Sequence, residues 1–192
     1  MKRCDWATSN PLETEHHDKE WGVPVHDDQL LFEMLILESA QAGLSWATIL
    51  QKRAGYLQAF DNFDAKKVAK YSTKKIEKLL QNTGIVRNKL KINATVENAK
   101  QFLEIQKEYG SFDMYIWSFV DAKPINNSWK KQSDVPAKTQ ASDAMSKGLK
   151  KKGFKFVGPT TCYAYMQATG MVNDHLVSCF RYSEVNKLQK NK

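Results

Sequence analysis

The chain has 192 residues, 42% hydrophobic and 11% aromatic, enough for one domain, or two lobes sharing a cleft, around a sizeable core. Lys and Arg total 29 against 21 Asp and Glu, a net charge of +8, which points to a polyanionic partner, nucleic acid before an acidic membrane surface. Three cysteines speak against a disulfide framework, and no apolar run follows Met1-Lys2-Arg3 or approaches a membrane span, so a cytoplasmic protein without a membrane partner is expected.

In chain order the pattern is helical nearly throughout. Asp27 and Asp28 precede Leu30, Leu31, Met34, Leu35 and Leu37 at helical spacing, and Gly43 closes that helix. Ser45 caps a second one through Leu57. Asp64 caps a helix over 65–71, and Thr73 one over 74–81. Asn82-Thr83-Gly84 is a turn, after which Ile85 leads into a long amphipathic helix through Leu103. A short aromatic helix covers 111–120, and residues 122–138, with Pro124 and Pro136, read as a loop. Thr139 caps 140–151, Gly158-Pro159 opens a helix through Ala168, and Asn173 or Asp174 caps the last one. Residues 187–192 form a frayed tail. With no repeat and no sustained alternation, the fold class is all-α.

Four metal-capable side chains stand at the two ends of the chain. Cys4 and His17 are separated by a polar stretch with loop character, while His175 and Cys179 are spaced i, i+4, so a helix would project them from one face. Together they make either one Cys₂His₂ shell, which would clip the N-terminus to the C-terminus, or unrelated residues on two surfaces. Their spacing is not that of a zinc finger and leaves both open.

Other constellations can carry chemistry. Residues 79–89 spell helix, glycine turn, helix, with the hairpin as a whole spanning about 73–106. Amides around Gly84 and Val86, with Arg87 and Lys89 beside them, suit phosphate; an ordinary αα-hairpin is the alternative. Glu38 follows an apolar run with Met34, Leu35 and Ala42 as helical neighbours. It is either a buried, functional carboxylate or a face-edge acid reaching solvent. Gly43 permits close backbone approach, Leu44 follows it, and Trp46 offers a stacking face or fills the core. Trp6 and Trp21 flank Glu15-His16-His17-Asp18 and suit a flat, electron-poor ligand. Lys151 and Lys152, within the basic run 147–155, suit phosphate contacts or simply end a helix. Cys162 is read as core and His26 as surface.

Taken together, Arg3-Cys4, the stretch His17 to Pro24, Leu31 to Met34, Gln41 to Trp46, Gly84-Ile85, Trp117 to Val120, Lys150 to Gly158 and Val172 to His175 resemble the DNA-3-methyladenine glycosylase I family of the helix-hairpin-helix superfamily. The resemblance implies a two-lobed all-α fold, a structural zinc ion on Cys4, His17, His175 and Cys179, and a monomer acting on double-stranded alkylated DNA. It implies that Glu38 recognises a flipped 3-methyladenine, that Trp46 stacks on it, and that Trp6 and Trp21 lie near the same pocket. Leu44 would fill the gap left in the duplex. The family is monofunctional and lacks the usual catalytic aspartate, so no Schiff-base lysine and no general base are expected. One departure stands out: the family carries, immediately before the zinc-binding His, a Tyr that lines the base pocket, where this chain has His16, whose imidazole can still stack and hydrogen-bond there but with a different proton inventory. Two other classes compete with this expectation, a non-enzymatic DNA-binding module and a zinc hydrolase. The second is disfavoured by the absence of H-E-x-x-H and by a shell with no open position.

Overall fold

The computed structural model describes residues 1–190, apart from the side chains of the last two. In chain order the helices are α1 (Pro11–Lys19), α2 (Asp28–Gln41), α3 (Trp46–Ala59), α4 (Ala65–Val68) and α5 (Thr73–Leu80). They continue with α6 (Lys89–Tyr109), α7 (Phe112–Trp117), α8 (Gln140–Lys151), α9 (Pro159–Ala168) and α10 (Phe180–Lys190). A parallel pair of two-residue strands, β1 (Ile125–Asn126) and β2 (Val172–Asn173), is the sheet found among the described residues.

Helix α2 is the axis of the fold. Every residue from Leu31 to Ala40 is buried, and α3, α6, α7 and α9 pack around it, as expected for a helix that is apolar all round. Asp27 caps it through the Leu30 amide. A large apolar cluster surrounds α2, and a second, smaller one gathers Trp21, Leu176 and the two terminal cysteines. The loop 122–138 is tied down where Ile125 pairs with Val172 and Asn126 with Asn173, just before His175.

Several sequence expectations need correction. His175 and Cys179 do not lie on a helix, and neither Asn173 nor Asp174 caps one: α10 begins at Phe180. The local amides instead find partners from elsewhere, His175 N donating to Asn173 Oδ1, Leu176 N to Cys4 Sγ and Val177 N to the Trp129 carbonyl. No i→i−4 ladder can form there. Between Cys4 and His17 lie a 3₁₀ turn (Asp5–Thr8) and α1, so His17 is helical. The long hairpin helix starts at Lys89 and not Ile85, because Asn88 takes the Leu90 and Lys91 amides as its cap. Ser72, not Thr73, caps α5, and α4 ends at Val68, short of Tyr71. In the closing tail, Leu188 is still helical, and residues 191–192 lie outside the described residues.

Candidate active site and metal centre

The central helix places Glu38 against a cavity of about 270 Å³. Trp6, His16, Trp21 and Trp46 line the same cavity, so the structure brings together all five pocket residues expected from the sequence. Glu38 is buried and its Oε2 has no hydrogen-bond partner among the described residues. Burial alone pushes this carboxyl up to about 8, since nothing nearby compensates for lost hydration. The alternative of a solvent-reaching acid is thereby excluded.

The aromatic walls come from three elements. Ser45 caps α3 through the Thr48 amide, which places Trp46 in the first turn of that helix. His16, on α1, packs its ring 5.3 Å from that of Trp46. Trp6 and Trp21 meet edge to face at 5.2 Å.

Glu13, Gln41, Gln132 and Gln167 complete the polar lining, and none was expected from the sequence. Gln41 lies three residues after Glu38, so helical spacing could have found it. The others sit in segments whose local pattern carries no signal. Gln167 is oriented from behind: its amide donates to Asp174, which also accepts from Asn127, Trp129 and Tyr163.

Cys4, His17, His175 and Cys179 converge, with one ligand atom from each lying within 4.8 Å of all the others. Cys179 Sγ is 3.4 Å from His17 Nε2 and 3.7 Å from His175 Nδ1, and Cys4 Sγ is 3.8 Å from His175 Nδ1. A tetrahedral zinc shell has S···N edges of about 3.5 Å. Each imidazole is fixed through its other nitrogen: His17 Nδ1 donates to Asp18, and His175 Nε2 donates to the Trp21 carbonyl, at 2.8 and 2.9 Å. Both lone pairs therefore face the sulfurs, the arrangement a bound metal needs. Arg3 anchors Asp18 in turn. The metal-capable cluster and the cavity share walls, because Trp6 packs on His17 and Trp21 on His175, at 5.5 and 4.7 Å.

Gly43 and Leu44 form an exposed turn after α2. Gly43 has φ +78°, and a Cβ there would meet nothing within 4 Å, so the turn needs glycine for its backbone and leaves space for a ligand. Lys91, in the first turn of α6, pins this turn by donating to the Ala40 and Ala42 carbonyls, at 2.8 and 2.6 Å.

In the hairpin, Gly84 N donates to Asn82 and Val86 N to Tyr56, so these two amides are engaged within the protein. Arg87 and Lys89 are exposed, and their amides have no acceptor among the described residues. Lys151 is exposed, whereas Lys152 is paired with Glu108, 2.5 Å away. Cys162 is core and His26 is exposed, as expected.

Comparison with known proteins gives one answer. The chain is 48% identical over 182 residues to the DNA-3-methyladenine glycosylase 1 of Escherichia coli (strain K12), covering 95% of this chain and 97% of that one. It is 49% identical over 177 residues to the DNA-3-methyladenine glycosylase of Haemophilus influenzae, covering 92% and 96%. A solved structure of the Staphylococcus aureus 3-methyladenine DNA glycosylase I, on the basis of 3-methyladenine recognition, superposes with a TM-score of 0.90 at 38% identity, covering 94% of this chain and 96% of that one. The methyladenine glycosylase family profile matches residues 6–182, and the chain belongs to that family.

Proposed function

We propose that this chain is a base-excision repair glycosylase that turns an alkylated nucleotide out of double-stranded DNA and hydrolytically releases 3-methyladenine without cutting the strand. The observation that carries the reading is the cavity in which a buried, unpartnered carboxylate faces a space walled by tryptophans. Methylation at N3 gives the purine a positive charge and weakens its glycosidic bond, so the leaving group needs no proton from the enzyme. The remaining tasks are to hold the flipped base and admit water to C1′. A cation stacked on Trp46 gains from the indole face, and beside Glu38 it offsets the desolvation that the carboxylate bears alone. Neutral adenine supplies neither gain. Glu38 thus recognises the base, and no general base is assigned. Trp6, Trp21 and His16 complete the slot. Positive charge developing on the sugar is stabilised by nearby carboxylate and phosphate groups.

Zinc is the metal that best suits two thiolates and two imidazoles in a closed shell. On Cys4, His17, His175 and Cys179 it would be structural, holding the two ends of a single domain and the tryptophan walls in place. For the DNA, Arg87, Lys89 and Lys151 with the free amides of the hairpin suit backbone phosphates. The exposed turn at Gly43 and Leu44 suits the gap left by the extruded nucleotide. Lys152 would have to leave Glu108 to contribute. A helix-hairpin-helix grip of this kind works on a monomer, and the unpaired cysteines suit a reducing, cytoplasmic setting.

The test is chromatography of bases released from methylated DNA, with the strands sized in parallel. Release of 3-methyladenine from intact strands is expected. Binding without any released base would make the protein a DNA-binding module instead.

A further inference from the structure

Lys91 joins two outward-facing parts of the molecule. Its backbone belongs to the hairpin: Asn88 caps α6 through the Leu90 and Lys91 amides, beside the Arg87 and Lys89 amides, which have no acceptor among the described residues. Its side chain reaches the close of α2, where Nζ donates to the Ala40 and Ala42 carbonyls at 2.8 and 2.6 Å. The Leu44 amide turns back to Gln41, so the Ala40 carbonyl lacks the i+4 amide of a continuing helix and takes the lysine in its place. A cation also suits this negative end of α2.

The two parts differ in how they are held. The hairpin is seated on α3: Lys52 donates to the Thr83 carbonyl at 2.8 Å, and Tyr56 takes the Val86 amide. The turn after α2 has no such seat. Gly43 and Leu44 are exposed, and a Cβ on Gly43 would meet nothing within 4 Å. Among the described residues, the two Lys91 bonds are the hydrogen bonds that tie residues 40–44 to a distant element.

We propose that Lys91 is a positioning residue that fixes the Gly43-Leu44 turn to the hairpin, so that seating the hairpin on backbone phosphates also sets Leu44 at the base stack. The inference rests on the reading that the hairpin grips phosphate and that Leu44 fills the gap left by the extruded nucleotide. Filling that gap needs the side chain at a fixed height above the phosphates. A turn already tied down loses little freedom on entering the duplex, whereas a loose one is ordered at the same step that unstacks the base. Because Nζ is engaged by two carbonyls, Lys91 acts through the turn and not on a phosphate of its own.

The test is Lys91→Met in the full chain, which keeps the stem and removes the donors. Affinities for free 3-methyladenine and for undamaged duplex should stay within threefold, while single-turnover release of 3-methyladenine from methylated duplex should fall tenfold or more. In a Leu44→Ala background, where the positioned side chain is gone, adding Lys91→Met should cost less than twofold. An equal loss in both backgrounds would mark a purely structural lysine and overturn the proposal, as would unchanged duplex excision by Lys91→Met. A salt slope of DNA binding that drops by about 0.9 would make Lys91 a phosphate contact and overturn it too. If Lys91→Met does not fold, nitrogen-15 NMR of the unsubstituted protein decides: slow exchange of the Lys91 ammonium hydrogens is expected, and exchange as fast as that of a solvated lysine overturns the proposal. Normal duplex excision by Leu44→Ala alone would instead remove the reading of the turn, and the proposal with it.

Discussion

Glu33 and Glu38 lie five residues apart on the same buried helix, yet only Glu33 is neutralised, by Arg53 at 2.7 Å. Arg53 also binds Glu20, whereas Glu38 is left with an unpartnered oxygen beside the cavity. A fold that pairs one buried carboxylate with an arginine and leaves the next unpartnered beside a cavity leaves the second to be neutralised by whatever enters.

That asymmetry sets a pH dependence. The folded-state pKa of Glu38, about 8, is raised from its ordinary 4.5. The native protein therefore holds a proton that the unfolded chain gives up. The associated stability is fully present below about pH 4.5 and is lost as pH rises through 8. Its full size is of order 5 kcal/mol, since each tenfold gain in proton affinity on folding is worth roughly 1.4 kcal/mol. Glu38→Gln should melt close to the unsubstituted protein near pH 5 and clearly above it near pH 9. For excision the ionised form is the one that attracts a cation, so kcat/KM should climb from pH 6 to 8, and the Gln variant should lose both the climb and most of its activity. Equal melting curves at both pH values would show that the carboxyl is not buried as described. Glu38→Ala should leave DNA affinity nearly intact while base release disappears, which a binding assay beside single-turnover excision will check.

Gly55, inside α3, is pressed against the turn of the hairpin. A Cβ at this position would stand 2.2 Å from the carbonyl oxygen of Gly84. Alanine normally favours a helix interior over glycine by about 1 kcal/mol, but here the obstacle is backbone and cannot swing aside. Gly55→Ala should cost about 1–3 kcal/mol and displace the hairpin. DNA affinity should fall severalfold with the affinity for free 3-methyladenine unchanged. A variant that is more stable and binds DNA normally would show that the contact is looser than the geometry indicates.

Removal of metal should act on both stability and the pocket. A ligand held at a thousand times its dissociation constant stabilises by about 4 kcal/mol, and for a domain of this size each kcal/mol moves Tm by roughly 2–4 °C. Chelation, or Cys179→Ser, should therefore lower Tm by about 8–16 °C. It should also quench or shift Trp6 and Trp21 fluorescence, because the two rings pack on the imidazoles of His17 and His175. Elemental analysis should return one zinc per chain. An unshifted Tm after verified metal loss would contradict a structural role.

Much of this was legible in the residues. The apolar run from Leu30 to Leu37 announces a buried helix, and Glu38 at its end is conspicuous because charge is costly there. The terminal Cys and His residues were legible by type, but the i, i+4 spacing of His175 and Cys179 imitates a helix. The turn they occupy is dictated by Asn173, Cys4 and Trp129, partners no local pattern reveals. The hairpin's boundary was misplaced for a similar reason: Tyr56, thirty residues away, takes the Val86 amide, so 85–88 stay out of the helix. Glu20, Arg53 and Lys91 were invisible because charged residues are ordinary on surfaces, and only the fold turns these inward.

The meeting of the first and last segments has a consequence for biosynthesis. A ribosome that has translated through α9 has supplied Cys4 and His17 but neither of the other two members of the cluster, and Trp21, which packs on His175, lacks that support. The nascent protein can collapse around α2 early, yet the Cys₂His₂ cluster and the Trp21 wall that rests on it close only once His175 and Cys179 have left the exit tunnel.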